Sequence, residues 1–186
     1  MTAPCSEDNE LLQRYRNGES AAFGELFQKY RTCLFGYCFT LLHDRSAADD
    51  AVQTVFLKAM ESIRSLDKGD LFYYWLFSIA RNEIFSSLRR KRTRQTVELD
   101  DDVWETETPA KILEQKETTA IVQNALHCLK VEYREVLVLR QFEHLSYSEI
   151  ASITGDSISS VESRLFKARK ALTKLLAPAF QKGTLS

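Results

Sequence analysis

Apolar residues recur at steps of three and four along almost the whole chain, and alternation at steps of two is nearly absent, so the pattern predicts an all-α protein. Its longest run is Phe23, Leu26, Phe27, Tyr30, Leu34, Tyr37, Cys38 and Leu41, a core helix capped by Ser20 that follows a short helix over 7–17 ending at Gly18. Ser46 with Asp49 marks another start, and Val52, Val55, Phe56, Ala59, Met60 and Ile63 give that helix a buried stripe. After the loop SLDKGD, an aromatic-rich helix from Leu71 buries Phe72, Leu76, Ile79, Ala80 and Leu88. These helices make one bundle over 1–94. Proline, threonines and dense like charge mark 95–109 as an exposed, flexible linker. A second bundle over 110–178, with helices around 110–129 and 132–142 before its final pair, precedes a tail at 179–186.

That final pair, LSYSEIASITGDSISSVESRLFKARKAL at 145–172, reads as a helix, a tight turn and a second helix. Ser146 with Glu149 has capping-box spacing, Gly155 supplies the left-handed turn, and Ser159 with Glu162 repeats the box. Val161, Leu165, Ala168, Leu172 and Leu175 form one buried stripe, leaving Ser160, Ser163, Arg164, Lys167 and Lys170 on the opposite side. From Ser157 to Leu176 five basic residues stand against the single acid Glu162. Such a helix suits a DNA major groove, with Ser and Arg side chains near its start able to reach base edges. An ordinary helical hairpin with a solvated charged face has the same local pattern.

Composition changes the picture only when read locally. The 186 residues are 44% hydrophobic, enough for two small cores, and the net charge of −1 hides strong segregation. Arg81 to Arg94 holds six basic residues and one acid, whereas Val97 to Glu107 holds six acids and no base. Cys5, Cys33, Cys38 and Cys128 form no metal-ligand spacing, and Cys33 and Cys38 read as buried thiols on a helix. No metal or cofactor is expected. No apolar stretch is long enough for a membrane span, and the segment MTAPCSEDNE lacks a basic region followed by an apolar run, so a soluble cytoplasmic protein is expected. Paired carboxylates, a nucleophile triad and a phosphate loop are all missing at useful spacing, which favours binding over catalysis.

Two clusters in the first bundle carry chemistry. Phe72, Tyr73, Tyr74, Trp75 and Phe77 lie upstream of Arg89 to Arg94, offering stacking faces and phosphate contacts for a single strand. Aromatics at helical spacing also serve as core; of these, Phe72 and Trp75 read as core and Tyr73 and Tyr74 as partly exposed. In DDAVQTVFLKAM at 49–60, Asp49, Asp50 and Gln53 line a polar edge that, with Leu57 and Lys58, can dock a partner helix or simply face water.

Residues 22–94 and 120–176 resemble the two helical regions of bacterial extracytoplasmic-function (ECF) sigma factors, promoter-specificity subunits of RNA polymerase. The resemblance lies in ADDAVQTVFLKA at 48–59, WLFSIARNEIFSSLRRKR at 75–92, and the helix-turn-helix from Tyr133 to Leu172. It implies that Asp49, Asp50, Gln53, Phe56 and Leu57 bind the clamp of the polymerase's largest subunit. It implies a pocket for a flipped −10 base in the loop 65–70, where Ser65, Asp67 and Lys68 lie, with Tyr73, Tyr74, Asn82, Arg89 and Arg90 also on −10 DNA. Ser159, Ser160, Ser163, Arg164 and Lys167 would read the −35 element. The acidic linker would follow the RNA exit path, and an anti-sigma factor, often membrane-anchored in the family, is an expected partner; no small-molecule substrate is. The chain departs from the family's pattern at Asp156, where an apolar turn residue is usual, and at Glu162. Two rival readings are a sigma-like decoy that sequesters an anti-sigma factor and a helix-turn-helix repressor on a palindrome.

Overall fold

Helical spacing of apolar residues becomes eight helices in the computed structural model, which describes residues 6–63, 66, 72–94 and 118–181. They are α1 (Ser6–Arg16), α2 (Ser20–Leu42), α3 (Arg45–Ser62), α4 (Phe72–Arg94), α5 (Thr118–His127), α6 (Val131–Gln141), α7 (Tyr147–Thr154) and α8 (Ile158–Gln181). Among the described residues there is no strand. The linker at 95–109 and the start of the helix expected from 110 lie outside the described residues.

α2 is the axis of the first bundle and packs against α1, α3 and α4. Its Leu26, Leu34, Tyr37 and Cys38 are fully buried, as the apolar run predicts. Burial pushes both the Cys33 and Cys38 thiols up to about 12, so they stay protonated and act as small apolar groups. In α3 the stripe Val52, Val55, Phe56, Ala59 and Ile63 faces inward. Met60, expected on that stripe, is instead 43% exposed, because one residue beyond Ala59 turns about 100° off the buried line.

Three helix starts differ from expectation, each by one or two residues. α2 is preceded by Glu19 in extended backbone with no side-chain cap, since its carboxylate is taken by Arg14 at 2.9 Å, and Ser20 lies inside the helix. α3 is capped by Asp44, which accepts from the Ala47 amide at 3.0 Å, not by Ser46 with Asp49. His43, left-handed at φ 51, ends α2 immediately before it and turns the chain so that Asp44 meets the capping requirement first. At α8, Ser157 accepts from the Ser160 amide at 3.2 Å, so Ser159 is already helical and the Ser159–Glu162 box does not form. The box at α7 does form: Ser146 accepts from the Glu149 amide at 3.3 Å and its own amide donates back at 2.6 Å. Gly155 closes α7 at φ 72.

The second bundle is built on α8, against which α5, α6 and α7 pack. Val161, Leu165 and Ala168 are buried there, with Leu172 and Leu175 partly so. In α6 four consecutive residues, Val136 to Leu139, are buried, which no one-sided amphipathic helix needs. The cause is that α6 is covered twice, by α8 in its own bundle and by α2 of the other. α4 likewise meets α7, and α2 meets α5, so the two bundles share one apolar core.

Phe56 and Leu57 are adjacent but 4% and 58% exposed. Phe56 packs edge-on against Phe27 at a ring separation of 4.4 Å. Phe56→Ala is therefore expected to cost about 3–5 kcal/mol in a urea titration, whereas Leu57→Ala should stay within about 0.5 kcal/mol.

Candidate nucleic-acid interface

α8 exposes Ser159, Ser163 and Lys167 along one edge, with Ser160 half-buried beside them. Arg164, expected to share that edge, is drawn aside. Its guanidinium donates to Asp156 at 2.7 Å, and both side chains are about four-fifths covered, at 20% and 24% exposed. Burial works to raise the Asp156 carboxyl, but the hydrogen bond and charge of Arg164, with more distant Arg81, hold it below its ordinary value. Asp156 thus keeps Arg164 engaged within the turn of the helix-turn-helix. Glu162 is exposed. Phe166, 70% exposed, lies on the same side of the helix, three residues from Ser163 and four from Lys170, and was passed over because a large apolar residue there belongs to no buried stripe.

On α4, Asn82, Arg89 and Arg90 are exposed, and Arg90 pairs with Glu83 at 3.2 Å. Lys58 of α3 also pairs with Glu83, tying the two helices. Phe72 and Phe77 belong to the core and Trp75 is partly buried, as expected for core aromatics. Tyr73 is a correction: expected to be partly exposed, it retains 7% exposure. Its ring stacks on Phe77 at 4.5 Å, and its hydroxyl donates to Glu143 of the second bundle at 2.8 Å. Burial, together with the charge and hydrogen bond of Glu143, raises the phenol well above its usual range. Tyr74 is half-buried, and its hydroxyl donates to Glu149. Hydrogen bonds from Ser146 and Tyr74 hold the Glu149 carboxyl below its ordinary value. Of the loop 65–70, Ser65, Asp67 and Lys68 lie outside the described residues; Leu66 is buried, and its carbonyl accepts from Arg16.

The outer edge of α3 is the third surface. Asp50, Gln53 and Leu57 are exposed and Asp49 half-buried, at the three- and four-residue steps that place Asp50, Gln53 and Leu57 in one row. Met60 extends the row, giving it two adjoining apolar side chains in contact with water. Phe56, grouped with these residues from the sequence, supports the helix from the core and cannot itself present a surface. Met60 could have been found by its three-residue step from Leu57.

Sequence reasoning missed the polar seam between the bundles. Arg134 and Glu135, adjacent on α6, are 5% and 0% exposed. Arg134 donates to the carbonyls of Leu41 at 3.0 Å and Thr40 at 3.2 Å at the end of α2, and to those of His127 at 2.8 Å and Leu129 at 3.0 Å after α5. Glu135 receives Arg81 of α4 at 2.9 Å and the Tyr37 hydroxyl of α2 at 3.1 Å. The rings of His43 and His127 stack across the same seam at 4.0 Å.

Residues 26–94 match the family model of sigma-70 region 2, and residues 119–172 that of sigma-70 region 4. The RNA polymerase sigma-H factor of Pseudomonas aeruginosa is 31% identical over 183 residues, covering 92% of this chain and 95% of that protein. The chain belongs to the ECF sigma factors. The ECF sigma-E factor of Haemophilus influenzae is 29% identical to this sigma factor over 182 residues, 92% of this chain and 96% of the relative. Among solved structures, CnrH in complex with the cytosolic domain of CnrY is 28% identical with a TM-score of 0.69, covering 93% of this chain and 99% of that one. RpoE of Bartonella quintana, solved with the anti-sigma factor NepR, is 25% identical with a TM-score of 0.65, covering 82% and 97%. No helix among the described residues is long and apolar enough to cross a membrane.

Burial raises the Glu135 carboxyl from its ordinary 4.5 to about 7, outweighing Arg81, Tyr37 and Arg164, which pull it down. A folded value raised in this way gives stability that is fully present below about 4.5 and lost as pH rises through about 7. Glu135→Gln keeps an acceptor for Tyr37 and cannot ionise. Its urea midpoint is expected to fall less than that of the unaltered sigma factor between pH 5 and pH 8.

Proposed function

We propose that this sigma factor joins core RNA polymerase through the outer edge of α3, with Asp49, Asp50, Gln53, Leu57 and Met60 against the clamp of the largest subunit. Its two bundles then direct initiation by reading −10 and −35 elements. The observation that carries this reading is the match to both sigma-70 regions, in order, within relatives aligned over nearly their whole length. Residues 1–94 form the unit for polymerase and the −10 element, and 110–178 the unit for the −35 element. The first reads the −10 DNA with Tyr73, Tyr74, Asn82, Arg89, Arg90 and the loop bearing Ser65, Asp67 and Lys68. The second uses Ser159, Ser160, Ser163 and Lys167, with Arg164 held in reserve by Asp156.

The mechanism is binding without catalysis, in the cytoplasm. Each bundle alone makes a modest, salt-sensitive contact, and attachment to one polymerase converts the second contact into an intramolecular one. Capturing an unpaired base then offsets the few kcal/mol needed to unstack it. The complexes of RpoE with NepR and of CnrH with the cytosolic domain of CnrY support an anti-sigma factor as the third partner, and the latter suits one anchored at a membrane.

Run-off transcription with core polymerase on genomic fragments tests the reading: new start sites sharing −35 and −10 motifs are expected, and no new starts would overturn it. Asp50→Arg is expected to lower recovery of core polymerase in a pull-down about tenfold, with the fold retained because Asp50 is exposed. On a duplex carrying the mapped −35 element, Lys167→Ala should weaken binding and make the salt slope shallower by about 1. Asp156→Ala, which releases Arg164, should tighten the same complex.

A further inference from the structure

α1 lies before residue 26, where the match to sigma-70 region 2 begins, yet it is fixed to α2 along its whole length. Near its start Asp8, fully buried, accepts from the Lys29 ammonium at 2.7 Å and from the Tyr30 hydroxyl. A carboxylate that would be costly alone is thereby paired inside the bundle. Midway, Leu12 is buried in the core. In the last turn the Arg14 guanidinium donates to Glu19 at 2.9 Å and to Glu25 at 3.0 Å, and the Tyr15 ring meets that of Phe23 at 5.3 Å. A helix held in this way leaves its final residue little freedom of position. That residue, Arg16, reaches 50 residues along the chain to donate to the carbonyl of Leu66, which is buried within the loop 65–70. Tyr30 carries the influence of α1 to the far side of the same loop. With its hydroxyl on Asp8, its ring lies 5.6 Å from that of Phe72 and 5.8 Å from that of Tyr73, the first two residues of α4. α1 therefore bears on the chain both within the loop and immediately after it.

We propose that α1 is a brace for selection of the unpaired −10 base, with Arg16 a positioning residue acting through Leu66 and Asp8 a second one acting through Tyr30. The proposal rests on the assignment of the loop 65–70 to that base. Neither residue touches DNA in this scheme. Choosing a base by shape needs groups held to within about 0.5 Å, and a loop alone holds them less precisely than a helix does. Arginine suits the role at Leu66, since its guanidinium stays charged at any working pH and offers several donors to one carbonyl. The outer edge of α3 and the serine edge of α8 take no part in these contacts, so the brace governs base choice and leaves polymerase docking and −35 binding alone.

The test is run-off transcription by holoenzyme assembled from the full chain and core polymerase, on the mapped promoter and on templates that carry each other base at each −10 position. The unaltered protein should favour one base at one position by about tenfold or more. Arg16→Ala, at an exposed helix end, should lower that ratio to about a third or less. Its recovery of polymerase in a pull-down and its affinity for the −35 duplex should stay within about twofold of the unaltered protein. Arg16→Lys, which can still donate to the Leu66 carbonyl, should restore most of the ratio. On a template whose non-template strand lacks the base at that position, the unaltered protein and Arg16→Ala should initiate at equal rates, because there is no base left to select. Tyr30→Phe keeps the ring and removes the bond to Asp8; it should lower the ratio in the same way, and it decides the matter if Arg16→Ala does not fold. Unchanged discrimination in the folded variants overturns the brace. So does an equal loss of initiation on every template, the abasic one included, which is what a clasp serving stability alone would give. If the unaltered holoenzyme shows no base preference at any −10 position, it is instead the base-capture reading beneath the proposal that fails.

Discussion

Two neighbouring charges on one turn of α6 organise this molecule. A buried charge is costly unless it is paired and hydrogen-bonded, and Arg134 and Glu135 find partners in different ways, the Glu135 carboxylate through Oε1 while its Oε2 is buried without a hydrogen bond. Arg134 reaches four main-chain carbonyls, two at the end of α2 and two after α5, where the free carbonyls of a helix end carry partial negative charge. Glu135 takes both of its partners, Arg81 and Tyr37, from the other bundle. An apolar seam tolerates sliding, because any close-packed arrangement buries similar area. A seam with these charges has few positions in which both reach their partners. The arrangement of the bundles is thereby specified by a small polar cluster set in a continuous apolar core.

The closed arrangement treats the three candidate surfaces unequally. The α3 edge and the Ser159, Ser163 and Lys167 edge of α8 face water, whereas Tyr73 is enclosed and Tyr74 half enclosed. Under the proposed function, the surfaces left open would meet a preformed partner, a polymerase clamp or a duplex. The one that is covered would meet a strand that exists only after the duplex has parted. Within the open α8 edge, Asp156 adds a second layer of restraint by retaining Arg164 inside the turn. The departure at Asp156 thus acquires a physical reason: it supplies a counter-charge that an apolar residue cannot.

Much of this was legible in the sequence. The runs that define α2, α3, α4 and α8, the Ser146–Glu149 box and the Gly155 turn all follow from local rules, and the motifs at 48–59, 75–92 and 133–172 carry the family through their spacing. The misses have local and long-range causes. Ser20, Ser46 and Ser159 are reasonable caps, but Glu19, Asp44 and Ser157 come earlier in the chain and reach the non-helical position first. Phe56 shares the face of Val52, Val55 and Ala59 and joins the buried stripe, whereas Leu57, about 100° further round the helix, leaves it. The burial of Tyr73 and the pairing of Glu135 were out of reach, since their partners lie more than 50 residues away and belong to another bundle. Charged residues such as Arg134 read as solvated until a second surface is placed over them.

The separation of Tyr37 from Glu135 also has a meaning in time. The two are 98 residues apart, so α1 to α4 leave the ribosome before the helix that will cover them exists. At ordinary synthesis rates of about 5–20 residues per second, the 87 residues from the end of α4 to the end of α8 leave the first bundle without its full cover for roughly 4–17 s. During translation, therefore, each new molecule begins in the open form, and closure is a state into which it matures.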